Sequence, residues 1–210
     1  MSTSRKHQRP AKHELWFPAG RWFLRTIKRE DASERWAAWL SDPWTVHTLN
    51  TAPRQLTRSE VADYIKTFDQ REHLLLGIFE RGSRSHVGFI RLDIDFANDE
   101  ALVNAIIGEE EHRNAGATLN TFAPLLQFVF ENLGLKRVRA SVLERNQATL
   151  QYLLKLGWQL DSEPESPVRA LDDGTLLVRR RLTWTRSGFQ AFRDSPLGRR
   201  ILRRLETAVR

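Results

Sequence analysis

Apolar and polar positions alternate from Trp22 to Ile27, a period that predicts a strand. The next segment, Arg29 to Leu40, carries Trp36, Trp39 and Leu40 at helical spacing and stops before Ser41, Asp42 and Pro43. Thr57, Arg58, Ser59 and Glu60 form an S/T-x-x-E capping box, and Val61, Tyr64, Ile65 and Phe68 continue the apolar face of the helix it opens. Leu74 to Phe79 is rich enough for a buried strand, and Arg81, Gly82 and Ser83 turn the chain into a second strand, His86 to Phe96. After a turn at Asn98 and Asp99, Ala101 to Ile107 makes a third, so the centre of the sheet is expected to be antiparallel. A loop, Gly108 to Ala117, then leads into a helix with Phe122, Leu126, Val129, Phe130 and Leu133 on one face. Pro124 lies inside this helix and removes one hydrogen bond, which predicts a kink or a later helix start. A last strand is expected from Leu176 to Trp184. It is followed by a helical extension, Gly188 to Arg210, in which Phe189, Phe192, Leu197, Ile201, Leu202 and Leu205 form an apolar face in need of a partner.

Composition narrows the chemistry. A chain of 210 residues, 40% hydrophobic and 28% charged, can bury one sizeable core. We divide it into a basic arm (1–20), a single α/β domain (21–185) and a basic helical extension (186–210). Leu15, Trp16 and Phe17 are expected to dock the end of the arm. No apolar run approaches the roughly 18 residues that cross a bilayer, and Met1 to His13 lacks a signal-like stretch, so a cytoplasmic protein without a membrane partner is expected. The absence of cysteine excludes disulfides, thiolate metal sites and a cysteine nucleophile, leaving nitrogen and oxygen chemistry with no metal expected. The net charge of +7 is concentrated at the ends, in Arg5, Lys6, Arg9 and Lys12 and in the arginines from Arg179 onward. Such a stripe attracts polyanions in general, but no nucleic-acid-binding signature accompanies it, and no nucleic-acid partner is expected.

The strand–loop–helix around Gly116 carries the most information. Loop amides at a helix start, unobstructed by side chains, form a positive nest for phosphate oxygens. The spacing is neither G-x-x-x-x-G-K-[ST] nor G-x-G-x-x-G, so a different phosphate ligand is required. Arg113, Asn114, Ala115, Gly116, Ala117 and Thr118 resemble the [QR]-x-x-G-x-[GA] loop of the GCN5-related N-acetyltransferase (GNAT) superfamily, which grips the pyrophosphate of acetyl-CoA. Downstream, Glu131 to Leu135 resembles that family's helix ending and Arg137 to Val142 its next strand. Asn146, Gln147, Ala148 and Thr149, then Leu156, Gly157 and Trp158, resemble its N-x-A-S and L-G-F signatures. Trp39 to Pro43 is similar to the W-L-x-D-P start of the branch that includes the RimJ/RimL-like ribosomal-protein alanine N-acetyltransferases. The resemblance spans Trp22 to Trp184.

The resemblance implies a GNAT fold: a mixed, mostly antiparallel central sheet of about six to seven strands flanked by helices, with a splayed strand pair forming the acetyl-CoA cleft. It implies an acetyl-CoA-dependent transferase acting on a primary amine of a peptide N-terminus or small molecule, or else a catalytically weak relative that binds CoA or a macromolecule through its basic tails. Cofactor contacts fall on Ile106, Ile107, Gly108, Arg113, Asn114, Ala115, Gly116, Ala117, Thr118 and Asn146, the last also a helix N-cap. Leu102 and Leu153 stand where many relatives carry a catalytic glutamate and tyrosine, and Tyr152 should point about 100° away from the latter position. Candidate catalytic groups are therefore Thr149, Asp93 and Glu100, with Asp95 and His47 as further bases. The acceptor side is expected from the N-terminal helices and a loop, Thr45 to Leu56. A homodimer through the extension is a further expectation.

Overall fold

The computed structural model describes residues 11–113 and 115–207. Asn114, Arg5, Lys6, Arg9 and Arg210 lie outside the described residues.

The strands are β1 (Trp16–Ala19), β2 (Trp22–Thr26), β3 (His73–Glu80), β4 (His86–Asp95), β5 (Glu100–Ile107), β6 (Arg137–Leu143), β7 (Gln159–Leu160), β8 (Glu165–Arg169) and β9 (Leu176–Thr185). They form one nine-stranded sheet in the order β1-β2-β3-β4-β5-β6-β9-β7, with β8 also pairing β9. The excess over the expected six or seven comes from β1, β7 and β8, short strands without clear alternation. Every pairing is antiparallel except β5 with β6, which is parallel and involves only Glu100↔Arg137, Ala101↔Val138 and Leu102↔Arg139. Beyond that point β5 and β6 diverge.

The helices are α1 (Glu34–Trp39), α2 (Pro43–Leu49), α3 (Arg58–Lys66), α4 (Glu110–Arg113), α5 (Ala117–Gln127), α6 (Gln147–Lys155), α7 (Arg186–Asp194) and α8 (Pro196–Thr207). The expected first helix is shorter than its apolar spacing suggested: Arg29–Asp31 is a 3-10 turn and α1 begins only after the Ser33 cap. The Thr57 capping box forms as expected, with both reciprocal bonds made. Thr45 to Leu49, expected as loop, is the body of α2, because Asp42 caps it and Pro43 occupies its first turn. The α5 helix starts at Ala117 despite Pro124, and the irregularity appears downstream as a π-helical turn, Phe128–Asn132.

Two cores result from the two faces of the sheet. One packs Leu74, Leu76, Ile90, Leu92, Ala101 and Val103 against α5, α6, α7 and α8. The other packs Leu75, Phe79 and Phe89 against Trp36, Trp39, Val61 and Ile65 of α1 and α3. Of the apolar face of the C-terminal extension, Phe189, Phe192 and Ile201 are buried in the first core and Leu197 and Leu202 pack against it, while the Leu205 side chain lies outside those described. No helix among the described residues is long and apolar enough to cross a membrane.

Candidate active site

The divergence of β5 and β6 builds the site. Strand pairing consumes backbone donors and acceptors; where it ceases after Leu102 and Arg139, the facing edges from Val103 to Ile107 and from Ala140 to Leu143 flank a wedge-shaped cleft. An extended chain of amides could pair along such an edge. At the open end of the wedge lie the segments that leave the two strands: Gly108 to Leu119 from β5, and Glu144 to Thr149 from β6.

The loop from β5 is held rigidly. Glu109 accepts bonds from Arg35 at 2.5 Å and from Trp39 Nε1 at 2.8 Å, tying α1 to the loop. Burial opposes ionisation of Glu109, but Arg35 and Trp39 outweigh it and hold its carboxyl below the usual range. Gly108 is required by packing, since a Cβ there would lie 2.0 Å from the Trp39 ring. Gly116 is required by conformation: φ is +88° at the residue that opens α5, while the space beside it is free. The first-turn amides of α5, from Ala117, Thr118 and Leu119, have no intrahelical acceptors and follow this glycine directly. That nest fits a phosphate.

Arg113 does something the sequence did not disclose. Its guanidinium donates to Asp42 Oδ2 at 2.8 Å, Gly108 O at 2.8 Å and Ile107 O at 3.2 Å, and lies 4.3 Å from the Trp44 ring centre. It therefore fastens the N-cap of α2 to the end of β5. Asn146 caps α6, its Oδ1 accepting from Thr149 N at 3.2 Å, as its position before Gln147 led us to expect. Thr149 is partly buried in the first turn of that helix.

The remaining candidates gather at the closed end of the wedge. His73, Asp93, Leu102, Arg139 and Thr183 are direct cross-strand neighbours in one row over β3, β4, β5, β6 and β9. Asp93 is thus directly opposite Leu102, the position at which the resemblance leads one to look for a glutamate. A cavity of about 190 Å³ is lined by Asp93, Ile94, Asp95, Glu100, Ala101, Leu102 and Arg139. Asp93 Oδ1 is 2.9 Å from His73 Nδ1, and Oδ2 is 2.7 Å from Arg91 Nε. Glu100 Oε2 lies 3.2 Å from Arg137 and 3.1 Å from Arg139. The Arg contacts are ionic rather than aligned hydrogen bonds, so Asp93 Oδ2, Glu100 Oε2 and Arg139 Nε are buried polar atoms with unused hydrogen-bonding capacity.

Other candidates are placed elsewhere. Asp95, although on the cavity wall, uses its carboxylate on Ala97 N, Asn98 N and Asn98 Nδ2 to form the β4–β5 turn. His47 sits on α2 with its ring 3.2 Å from Asp172, remote from Asp93 in the contacts it makes. Arg139 and Leu143 are four residues apart on β6, about 13 Å, so Thr149 beyond Leu143 does not join the Asp93–Glu100 cluster. Leu153 is buried apolar core. Tyr152 is mostly buried, its hydroxyl has no hydrogen-bond partner among the described residues, and burial pushes its phenol up.

A family model described as an acetyltransferase (GNAT) domain matches residues 21–159. The chain belongs to the GNAT acetyltransferase family. Members of this family use acetyl-CoA. No curated protein matches the sequence. Among solved structures, this GNAT chain is similar to a GCN5-related N-acetyltransferase from Brucella melitensis, with 17% identity, TM-score 0.70, and 95% of this chain and 90% of that one covered. Similar too is spermidine N-acetyltransferase from Vibrio cholerae in complex with CoA and spermine, with 17% identity, TM-score 0.68, and coverage of 81% and 98%. A third is a nucleotide-linked sugar GNAT in apo form, with 18% identity, TM-score 0.67, and coverage of 86% and 96%. At these identities the likeness concerns the fold.

Proposed function

We propose that this protein transfers the acetyl group of acetyl-CoA to a primary amine by direct attack on the thioester. The observation that carries the reading is the β5–β6 divergence, which opens immediately beside the polar cavity at Asp93 and ends at the Gly116 nest. Amides of Ala117, Thr118 and Leu119 would meet the pyrophosphate, with Ala115 and Gly116 shaping the turn; Asn114 belongs to the same proposed loop. Backbone of Ile106, Ile107 and Gly108 would line the pantetheine path, with Asn146 across the cleft. Arg113 contributes by holding the loop to α2.

When bound, acetyl-CoA supplies an electrophilic acyl carbon and a thiolate leaving group. The chain's own task is to place a neutral amine there and to remove its proton. Asp93 is the preferred acceptor for that proton, since it lines the cavity and is the cross-strand partner of Leu102; Glu100 would attract the incoming ammonium. Thr149, in the first turn of α6 at the open end, would line the cofactor path beside Asn146. A cytoplasmic enzyme of the RimJ/RimL-like branch is the finer reading suggested by Trp39 to Pro43. The similar structures, by contrast, include an enzyme named for spermidine and one named for nucleotide-linked sugars.

Thiol release from acetyl-CoA with pooled amines tests this. The wild type should release thiol only with an acceptor. Asp93→Asn should lower kcat by about a hundredfold at unchanged acetyl-CoA affinity, and Gly116→Trp should abolish acetyl-CoA binding. Wild-type affinity in folded Gly116→Trp would sink the assignment of the loop.

A further inference from the structure

The last helix carries a charge pattern that its packing does not require. From Pro196 to Leu205 the sequence holds four arginines, Arg199, Arg200, Arg203 and Arg204, and no carboxylate. Leu197, Ile201 and Leu202 fasten α8 to the first core, where it packs on α5, α7 and β1. Arg199, Arg200 and Arg203 fall on the opposite side of the helix and are exposed. Elsewhere arginines stand beside carboxylates, as Arg25 does with Asp31 and Arg193 with Glu131. On α8, by contrast, Arg199 donates only to a backbone carbonyl, Asp194 O, and Arg200 has no carboxylate partner among the described residues.

This clustering works against the helix. Arg203 is one turn from both Arg199 and Arg200, at spacings where like charges repel. Arg199 and Arg200 also lie near the N-terminal end of α8, where the helix dipole disfavours cations. An anionic partner would relieve both effects. Its chemistry follows from what the surface offers. The apolar side of α8 is spent on the protein's own core, so no apolar stripe is left to enter a bilayer. What remains are guanidinium groups, which match phosphate through paired N–H donors. From Arg199 to Arg203 the helix rises about 6 Å, a length over which one strand of a duplex presents about two phosphates. Exposed Lys12, four residues ahead of β1, adds a cation on the chain that leads into the strand on which α8 packs.

We propose that the solvent face of α8 binds the phosphate backbone of a nucleic acid, by charge and without reading sequence. The motifs missing from this chain are those that present side chains to bases; backbone contacts need none of them. The proposal is independent of the transferase reading.

Fluorescence anisotropy with labelled oligouridylate and oligothymidylate of about 20 nucleotides tests it, using the full chain. The wild type should bind both within about threefold of each other, and should lose about twentyfold or more in affinity between about 50 and 200 mM potassium chloride, as three single-strand contacts require. Arg199→Gln/Arg200→Gln/Arg203→Gln should make the log–log salt slope shallower by about 2 and weaken binding at least about tenfold in the lower salt. The corresponding triple lysine variant should keep the wild-type slope, because the slope counts charges. Arg200→Gln alone should lower the slope by about 0.7. Acetyl-CoA affinity and the urea midpoint should stay at wild-type values in all three. No binding by the wild type in the lower salt, or a slope unmoved by the glutamine substitutions, would overturn the proposal. A parallel loss of acetyl-CoA affinity would assign these arginines to the cofactor instead. Capture by vesicles of phosphatidylcholine and phosphatidylserine, under conditions in which both oligonucleotides stay free, would assign the face to a membrane and likewise refute it.

Discussion

His86 stands among Trp36, Trp39, Phe79 and Phe89, with ring centroids 4.8–5.0 Å from the first three, and neither ring nitrogen has an aligned side-chain partner. Burial lowers its pKa from 6.5 to about 4. The folded protein therefore keeps the ring neutral where the unfolded chain would protonate it. Stability linked to His86 is complete above pH 6.5 and is lost as pH falls from there towards 4, by about 2 kcal/mol between pH 7 and pH 5. Urea unfolding at those two pH values should show this loss in the wild type and a much smaller one in His86→Leu; equal losses would contradict it. The sequence did not reveal this ring, since it falls at the start of a strand and three of its four aromatic neighbours come from two other segments, α1 and β3. Gly116, by contrast, was legible because a φ of +88° is a property of the residue itself. Arg113 was legible as a site residue but its destination was not: its carboxylate partner, Asp42, is 71 residues away.

Elements followed the same rule. The strands β3, β4 and β5 and the helices α3 and α6 carry their period and caps in contiguous residues, so their pattern suffices. The short β7 and β8 exist only because β9 offers them an edge, and α2 buries Thr45 and Thr48 rather than an apolar stripe, leaving little periodicity to read. The C-terminal helices show how an apolar face finds its partner. Phe189 is 2% exposed and lies 5.4 Å from Phe130 and 5.6 Å from Trp184 between ring centres, joining α7 to the π-helical turn after α5 and to β9. Phe189→Ala should cost about 3–5 kcal/mol in urea unfolding. Truncation after Thr185 should yield a less stable, aggregation-prone protein, because it uncovers the same rings. A truncated chain that unfolds at the wild-type urea midpoint would show that the extension is not part of the core.

At the scale of the whole molecule, the net charge of +7 is carried largely towards the ends of the chain, and the structure neutralises part of it. The arginine run on β9 is matched across the sheet face: Arg180 lies 2.8 Å from Glu144 and Arg181 2.9 Å from Glu165. The segment leading to the phosphate nest, meanwhile, is acidic, with exposed Glu110 and Glu111 in α4 and Glu109 already neutralised by Arg35. Long-range positive potential would draw an anionic ligand in, whereas Glu110 and Glu111 would oppose its final approach. These two effects have different ranges and respond differently to substitution. Exposed charges near a binding site interact with energies of about 0.3–1 kcal/mol at low ionic strength, and salt with a Debye length of about 3 Å at 1 M removes most of that. Glu110→Gln/Glu111→Gln should therefore bind acetyl-CoA about two- to fivefold more tightly than the wild type in dilute buffer. The gain should vanish in about 1 M potassium chloride. Calorimetric titration at the two salt concentrations measures both numbers, and a neutralised variant with unaltered affinity in dilute buffer would place the phosphates away from the α4–α5 junction.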